Sequence, residues 1–147
     1  QYNVAANGGV ELYPAALRSQ IDELETWLRA DVNSTAHVAT SDSPVAAEAA
    51  ETLQKAFTQL DNRLQGSRFL LGDDVTLADV RLFVTLVRYD AAAARTGSPR
   101  LADFGELWRY ARELYAIDAF TKTTDFSSFG GDGAVVADWH STVGLAR

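Results

Sequence analysis

The chain has 147 residues, 47% of them hydrophobic and 22% charged, which is enough apolar material to bury the core of one domain. Its net charge of −7 and pI near 4.7 make phosphate backbones and anionic membranes poor partners, so neither nucleic acid nor a membrane is expected. Cysteine is absent, which excludes disulfides, thiolate catalysis and cysteine-bound metal within this chain.

No apolar run reaches the roughly 18–20 residues that a membrane-spanning helix needs. Methionine is also absent and the chain starts at Gln1, so a processed product or a piece of a longer protein is expected. The first residues carry neither a basic end nor an apolar core of the signal-peptide kind, so a cytoplasmic location is expected.

Residues 1–13 hold Asn7-Gly8-Gly9 and read as an irregular lead-in. Pro14 suits a helix start, where its lacking N–H costs nothing. Leu17, Ile21, Leu24 and Leu28 then recur at helical spacing beside Trp27, predicting a helix over residues 14–33. Residues 34–44 are rich in Ser, Thr and Asp and read as a loop, with Ser43 as the N-cap and Pro44 as the first residue of the next helix. That helix carries Val45, Ala49, Leu53, Phe57, Leu60 and Leu64 on one stripe, and Gly66 ends it.

A capping box is predicted at Thr76 and Asp79: the Thr76 hydroxyl accepts the N–H of residue 79, and the Asp79 carboxylate accepts the N–H of Thr76. The helix it opens, residues 77–94, is apolar nearly all round and so belongs at the centre. Thr96-Gly97-Ser98-Pro99 breaks the chain. Leu101, Phe104, Leu107, Trp108, Ala111, Leu114 and Tyr115 mark a helix over 102–116, and a short helical piece follows at 118–123. Glycines at 130, 131, 133 and 144 predict an extended tail from Asp125. The expected architecture is an all-α helical bundle, residues 14–124, between the lead-in 1–13 and a long irregular tail, 125–147.

Chemistry-bearing motifs are sparse. His37 and His140 are far apart and form no spaced ligand motif, so no metal site is expected. No serine sits in a Gly-x-Ser-x-Gly elbow, and Gly130-Gly131-Asp132-Gly133 lacks the Lys-Ser/Thr of a phosphate loop, so no catalytic residue is assigned. Asp79 is explained by its cap. Asp90, at the far end of the central helix, is expected to pair with Arg81 or Arg88. The aromatics on apolar stripes are mostly core, and some are expected to line a pocket between helices.

Four stretches carry a resemblance. They are Leu71-Gly72-Asp73-Asp74-Val75-Thr76-Leu77-Ala78-Asp79-Val80, its continuation through Arg88-Tyr89-Asp90, the segment Glu11-Leu12-Tyr13-Pro14-Ala15-Ala16-Leu17-Arg18 with Ile21-Asp22-Glu23-Leu24, and Leu107-Trp108-Arg109-Tyr110-Ala111-Arg112-Glu113-Leu114-Tyr115. In order and content they resemble the helical C-terminal domain of the glutathione transferase superfamily, and within it the glutathionyl-hydroquinone reductase (xi-class) branch. The resemblance implies a thioredoxin-like N-terminal domain, absent from this chain, that binds glutathione or another low-molecular-weight thiol and carries the catalytic cysteine. It implies that the helical half walls a pocket for a small aromatic or quinone substrate and supports a homodimer. On this chain the pocket residues it implies are Tyr13, Trp27 and His37. Here Ala36-His37-Val38-Ala39 stands where that branch has a tyrosine-bearing segment, and His37 falls nearest the tyrosine. The alternative is a stand-alone, non-catalytic helical module for dimerisation or protein contacts.

Overall fold

The structure, a computed structural model, describes residues 12–129 and 133–140. It opens with one helical rod. A 3-10 turn at Ala15–Leu17 runs into α1 (Arg18–Leu28), a π turn at Arg29–Asn33 and α2 (Ser34–Ala39). The loop expected from residue 34 therefore begins only after Ala39. The polar residues that suggested it bond back into their own helix: the Ser34 hydroxyl donates to the Arg29 carbonyl at 3.0 Å, Thr35 to Asp31 at 2.5 Å and Thr40 to Ala36 at 3.1 Å. Hydroxyls satisfied this way no longer compete with the helix.

Helix α3 spans Ala46–Leu64, and its stripe Leu53, Phe57, Leu60 and Leu64 is buried. It starts later than expected. Ser43 accepts the Val45 N–H on its hydroxyl at 3.2 Å and the Ala46 N–H on its carbonyl at 3.0 Å, forming a turn ahead of the helix. Val45 is thereby lifted off the buried stripe and is 53% exposed. The helix is closed by Gly66 at φ +79°, the left-handed conformation that glycine adopts without a Cβ penalty.

The central helix α4 spans Leu77–Thr96 and ends on Gly97 at φ +75°. The expected capping box between Thr76 and Asp79 is formed. Helix α5 spans Gly105–Tyr115 and α6 spans Asp118–Thr123. The α5 N-terminus is capped from another helix: Asp61 of α3 accepts the N–H groups of Glu106 and Leu107 at 2.8 and 2.9 Å. A carboxylate at that end also complements the helix dipole. Among the described residues there is no strand, only an isolated bridge between Phe69 and Gly72.

Arg109, nearly buried, fastens α5 to the end of α3. Its guanidinium donates to the carbonyls of Leu64, Ser67 and Arg68 and pairs with Glu106 and Glu113. It thus satisfies carbonyls that a helix end would otherwise leave open.

The tail departs from expectation. A 3-10 turn at Phe126–Phe129 leads to α7, Gly133–His140, not to an extended chain. Trp139 is 1% exposed and Val135 2% exposed. The Trp139 indole meets Phe83, Trp108, Tyr115 and Phe126 at ring-centroid distances of 5.1–6.2 Å. Burying a side chain of this size outweighs the local preference of a glycine-rich segment. The lead-in 1–11, the glycines at 130 and 131 and Gly144 lie outside the described residues. The lead-in joins the fold where the Leu12 carbonyl accepts the N–H of Leu77 at 2.8 Å.

Candidate functional site

Helix α4 sets the geometry. Its inward face carries Ala78, Asp79, Leu82, Phe83, Leu86, Val87, Tyr89, Asp90 and Ala93, all buried. Two fully buried carboxylates stand on this face, Asp79 in the first turn and Asp90 eleven residues on. Asp79 accepts hydrogen bonds from the Thr76 N–H at 2.8 Å, the Leu70 N–H at 3.1 Å, the Thr76 hydroxyl at 3.3 Å and the Tyr110 hydroxyl at 2.7 Å. Burial lifts its carboxyl above the ordinary aspartate value, against the pull of these four donors. The Tyr110 phenol is pushed well above its usual range, first by burial and then by the Asp79 charge.

Asp90 is held differently from the expected pairing. Arg100 grips it in bidentate fashion, Nε to Oδ1 at 2.9 Å and Nη2 to Oδ2 at 2.7 Å. The Leu101 N–H and the Trp139 Nε1–H complete the set at 3.1 and 2.9 Å. Neither Arg81 nor Arg88 makes this pair. Arg81 reaches Glu25 on α1 at 3.2 Å, because the helical twist turns position 81 toward the first rod.

The opposite face of α4 is open. Val84, on that face, is 47% exposed, unusual for a large apolar side chain. Two depressions meet there. One, of about 370 Å³, lies between α4 and the α6 region, with Val80, Phe83, Val84, Val87 and Phe120 in its wall. The other, of about 520 Å³, lies between α4 and the first rod, walled by His37, Thr40, Val84, Arg88 and Arg95. Val84 and Arg88 belong to both, so the two form one groove along α4. Volumes of this order suit small organic ligands. The π turn lies at the groove's edge: Thr85 of α4 donates a short hydrogen bond to Asn33 there. Single π turns inside helices recur at functional sites.

The family model of the glutathione S-transferase C-terminal domain matches residues 43–113, from the turn before α3 through α5. The chain is 30% identical over 121 residues to the glutathionyl-hydroquinone reductase YqjG of Escherichia coli, covering 79% of this chain and 37% of that protein. The glutathione-bound structure of YqjG superposes with a TM-score of 0.76 at 28% identity, over 86% of this chain and 43% of that one. The Xi glutathione-S-transferase of Phanerochaete chrysosporium superposes with a TM-score of 0.75 at 30% identity, over 85% of this chain and 42% of that one. The chain belongs to the glutathione transferase superfamily, as a helical C-terminal domain similar to those of the glutathionyl-hydroquinone reductase branch. It spans about two fifths of the length of these relatives.

On this transferase domain the three expected pocket residues lie apart. His37 is in the groove. Trp27 lines a separate cleft of about 440 Å³ between α1 and α3, beside Glu23, Gln59 and Arg63. Ten residues along the rod separate the two, roughly 15 Å at the helical rise of 1.5 Å per residue. Tyr13 donates its hydroxyl to Asp22 at 2.9 Å and lies under the Arg18 guanidinium at 5.0 Å, an arrangement that secures the start of the rod. Val84, Arg88 and Arg95 went unnoticed as groove residues. Their signal was present as an i, i+4, i+11 spacing, which puts them on one face of α4. The surrounding apolar residues masked it. Among the described residues no three His, Asp or Glu side chains gather as metal ligands, and no helix is long and apolar enough to cross a membrane.

Proposed function

We propose that this domain is the substrate-side half of a glutathione-transferase-like thiol transferase or reductase of the glutathionyl-hydroquinone reductase kind. The observation that carries the reading is the α4 groove: an open, partly apolar channel, centred on the exposed Val84, on a domain whose relatives include a glutathionyl-hydroquinone reductase. The chain holds no cysteine, so the thiol step needs residues from outside it. In this reading a thioredoxin-like domain supplies them and binds glutathione or another low-molecular-weight thiol. The α4 groove supplies the wall against which a small aromatic or quinone substrate rests.

His37 is then a substrate contact, since it lies in the groove beside Val84 and Arg88. Trp27 and Tyr13 face other surfaces and act on the fold of the first rod. The reading also places the protein in the cytoplasm and makes it a homodimer.

The test is the gene product as its organism makes it. A product near twice the 16.0 kDa of this chain, with a cysteine in its added part and turnover of glutathionyl-hydroquinones, is the expected result. A product near 16 kDa without turnover leaves the non-catalytic helical module in its place.

A further inference from the structure

We infer that the α4 groove takes an amphiphilic phenol: a ring with its hydroxyl head at the His37 end and a long apolar tail running toward Phe120. This deepens the function proposed above and rests on that reading's placement of the substrate in the groove.

The groove is longer than one ring needs. Its wall runs along α4 from Val80 to Arg95, and that stretch of helix rises roughly 22 Å. Its two depressions, about 370 and about 520 Å³, are each of small-ligand size. A single-ring substrate fills one and leaves the other to water. Val84 and Arg88 belong to both, so one longer molecule can cross between them.

The two halves differ in chemistry. The half against α6 is walled by Val80, Phe83, Val84, Val87 and Phe120. Asp125 also lines it, but its carboxylate accepts the Ser127 N–H at 3.1 Å and the Ser127 hydroxyl at 2.6 Å within its own turn. An apolar chain laid in this half removes its own surface from water, together with that of the exposed Val84.

The half against the first rod calls for a donor. Thr40, Ser41 and Thr85 line it. Each of these hydroxyl protons is already given away: Thr40 donates to the Ala36 carbonyl at 3.1 Å, Ser41 to the Val38 carbonyl at 2.6 Å and Thr85 to the Asn33 side chain. A hydroxyl that has donated its one proton has only lone pairs left to offer. Arg88 and Arg95 line the same half but are engaged within the protein, Arg95 with the Ala91 carbonyl at 3.5 Å. The head that fits is a neutral donor, and a phenolic hydroxyl is what a quinone-type substrate carries in its reduced form.

The experiment measures binding of 4-ethylphenol, 4-hexylphenol and 4-hexylanisole to the full gene product by calorimetry. A fully buried methylene is worth about four-fold in affinity, so in an open groove the hexyl phenol should bind at least about ten-fold tighter than the ethyl phenol. The anisole, whose ether oxygen carries no proton, should bind at least about three-fold more weakly than the hexyl phenol. Val84→Asp sets a charge where the tail crosses and should cut the hexyl gain below about three-fold. Val84 is exposed, so this variant keeps the melting temperature of the parent. Thr40→Val combined with Ser41→Ala should bring the hexyl phenol and the anisole together while leaving the chain-length gain in place. Equal affinity of the ethyl and hexyl phenols, a hexyl gain that Val84→Asp leaves intact, or an anisole that binds as tightly as the phenol would overturn the inference. Turnover of glutathionyl-hydroquinones without a chain-length gain would sink this inference and leave the proposed function standing. A chain-length gain in a product without turnover would do the reverse.

Discussion

The first turn of α4 and its C-terminal half hold buried aspartates in opposite ways. Asp79 is fastened mostly by its own neighbourhood: the Thr76 backbone and hydroxyl three residues away and the Leu70 N–H nine residues away, with Tyr110 alone coming from a distant helix. Asp90 is fastened by partners spread along the chain: Arg100, Leu101 and, from α7, Trp139. The first is a helix cap reinforced by one tertiary bond. The second is a tertiary knot that ties the C-terminal half of α4, the following loop and α7 into one body. Losing the Asp79 cap leaves the Tyr110 hydroxyl without its acceptor, whereas losing Asp90 leaves the Trp139 indole N–H without one and Arg100 with only the more exposed Asp138, at 3.3 Å.

The comparison sets an order of effects. Asp90→Ala should destabilise the domain most, by about 3–5 kcal/mol, the usual cost of breaking one side of a buried ion pair. Urea unfolding would measure it, and hydrogen exchange over residues 133–140 should rise at the same time as α7 comes loose. Asp79→Ala should cost about 2–4 kcal/mol, the sum of a lost cap and an orphaned buried tyrosine hydroxyl. Its α7 exchange should stay close to that of the parent. If Asp79→Ala proves the more costly, or if it loosens α7 equally, the distinction between a local cap and a tertiary knot fails.

Trp139→Phe sharpens the same contrast from the other side. The ring remains to pack on Phe83 and Tyr115, while the N–H bond to Asp90 is lost. A hydrogen bond to a charged acceptor is worth about 1.5–3 kcal/mol. The loss should show first in exchange and proteolysis of α7, because Asp90 keeps Arg100 and Leu101. A variant whose α7 is as protected as the parent's would mean that the apolar contacts alone hold the tail.

The same contrast explains what could be read before the fold was known. Helix positions, the central place of α4 and the Thr76–Asp79 box depend on residues within one or two turns of each other, and the sequence displays them directly. The pairing of Asp90 does not: Arg100 stands ten residues on, across a turn, and Trp139 forty-nine residues on. The expected partners Arg81 and Arg88 were near in sequence and on the wrong sides of the helix. The tail shows the same limit, since its glycines are local and the pocket that accepts Trp139 is built by α4, α5 and the Phe126 turn. His37 could be placed by its neighbours in the chain. The groove it borders could not, because Val84, Arg88 and Arg95 gain their meaning only once α4 lies beside α2 and α6.

The smallest effect expected is on Tyr89, beside Asp90. Its hydroxyl donates to the Pro99 carbonyl at 2.6 Å, and its pKa is pushed up to about 12, by burial first and then by the charges of Asp90 and Asp103. An unfolded tyrosine ionises near 10. Below that pH the phenol is neutral in both states and contributes no pH dependence. As the pH rises from about 10 toward about 12, the unfolded chain releases this proton and the folded one keeps it, so stability falls. Tyr89→Phe should therefore lose about 1 kcal/mol at neutral pH, the worth of one hydrogen bond. It should also show a shallower alkaline decline than the parent. Part of the decline remains, because Tyr110 at the Asp79 end is raised as well. Unfolding midpoints taken from about pH 9 to about pH 11 for both proteins decide it: parallel declines would show that Tyr89 ionises alike in the folded and unfolded chain, and that the Asp90 knot does not extend its charge to the next residue.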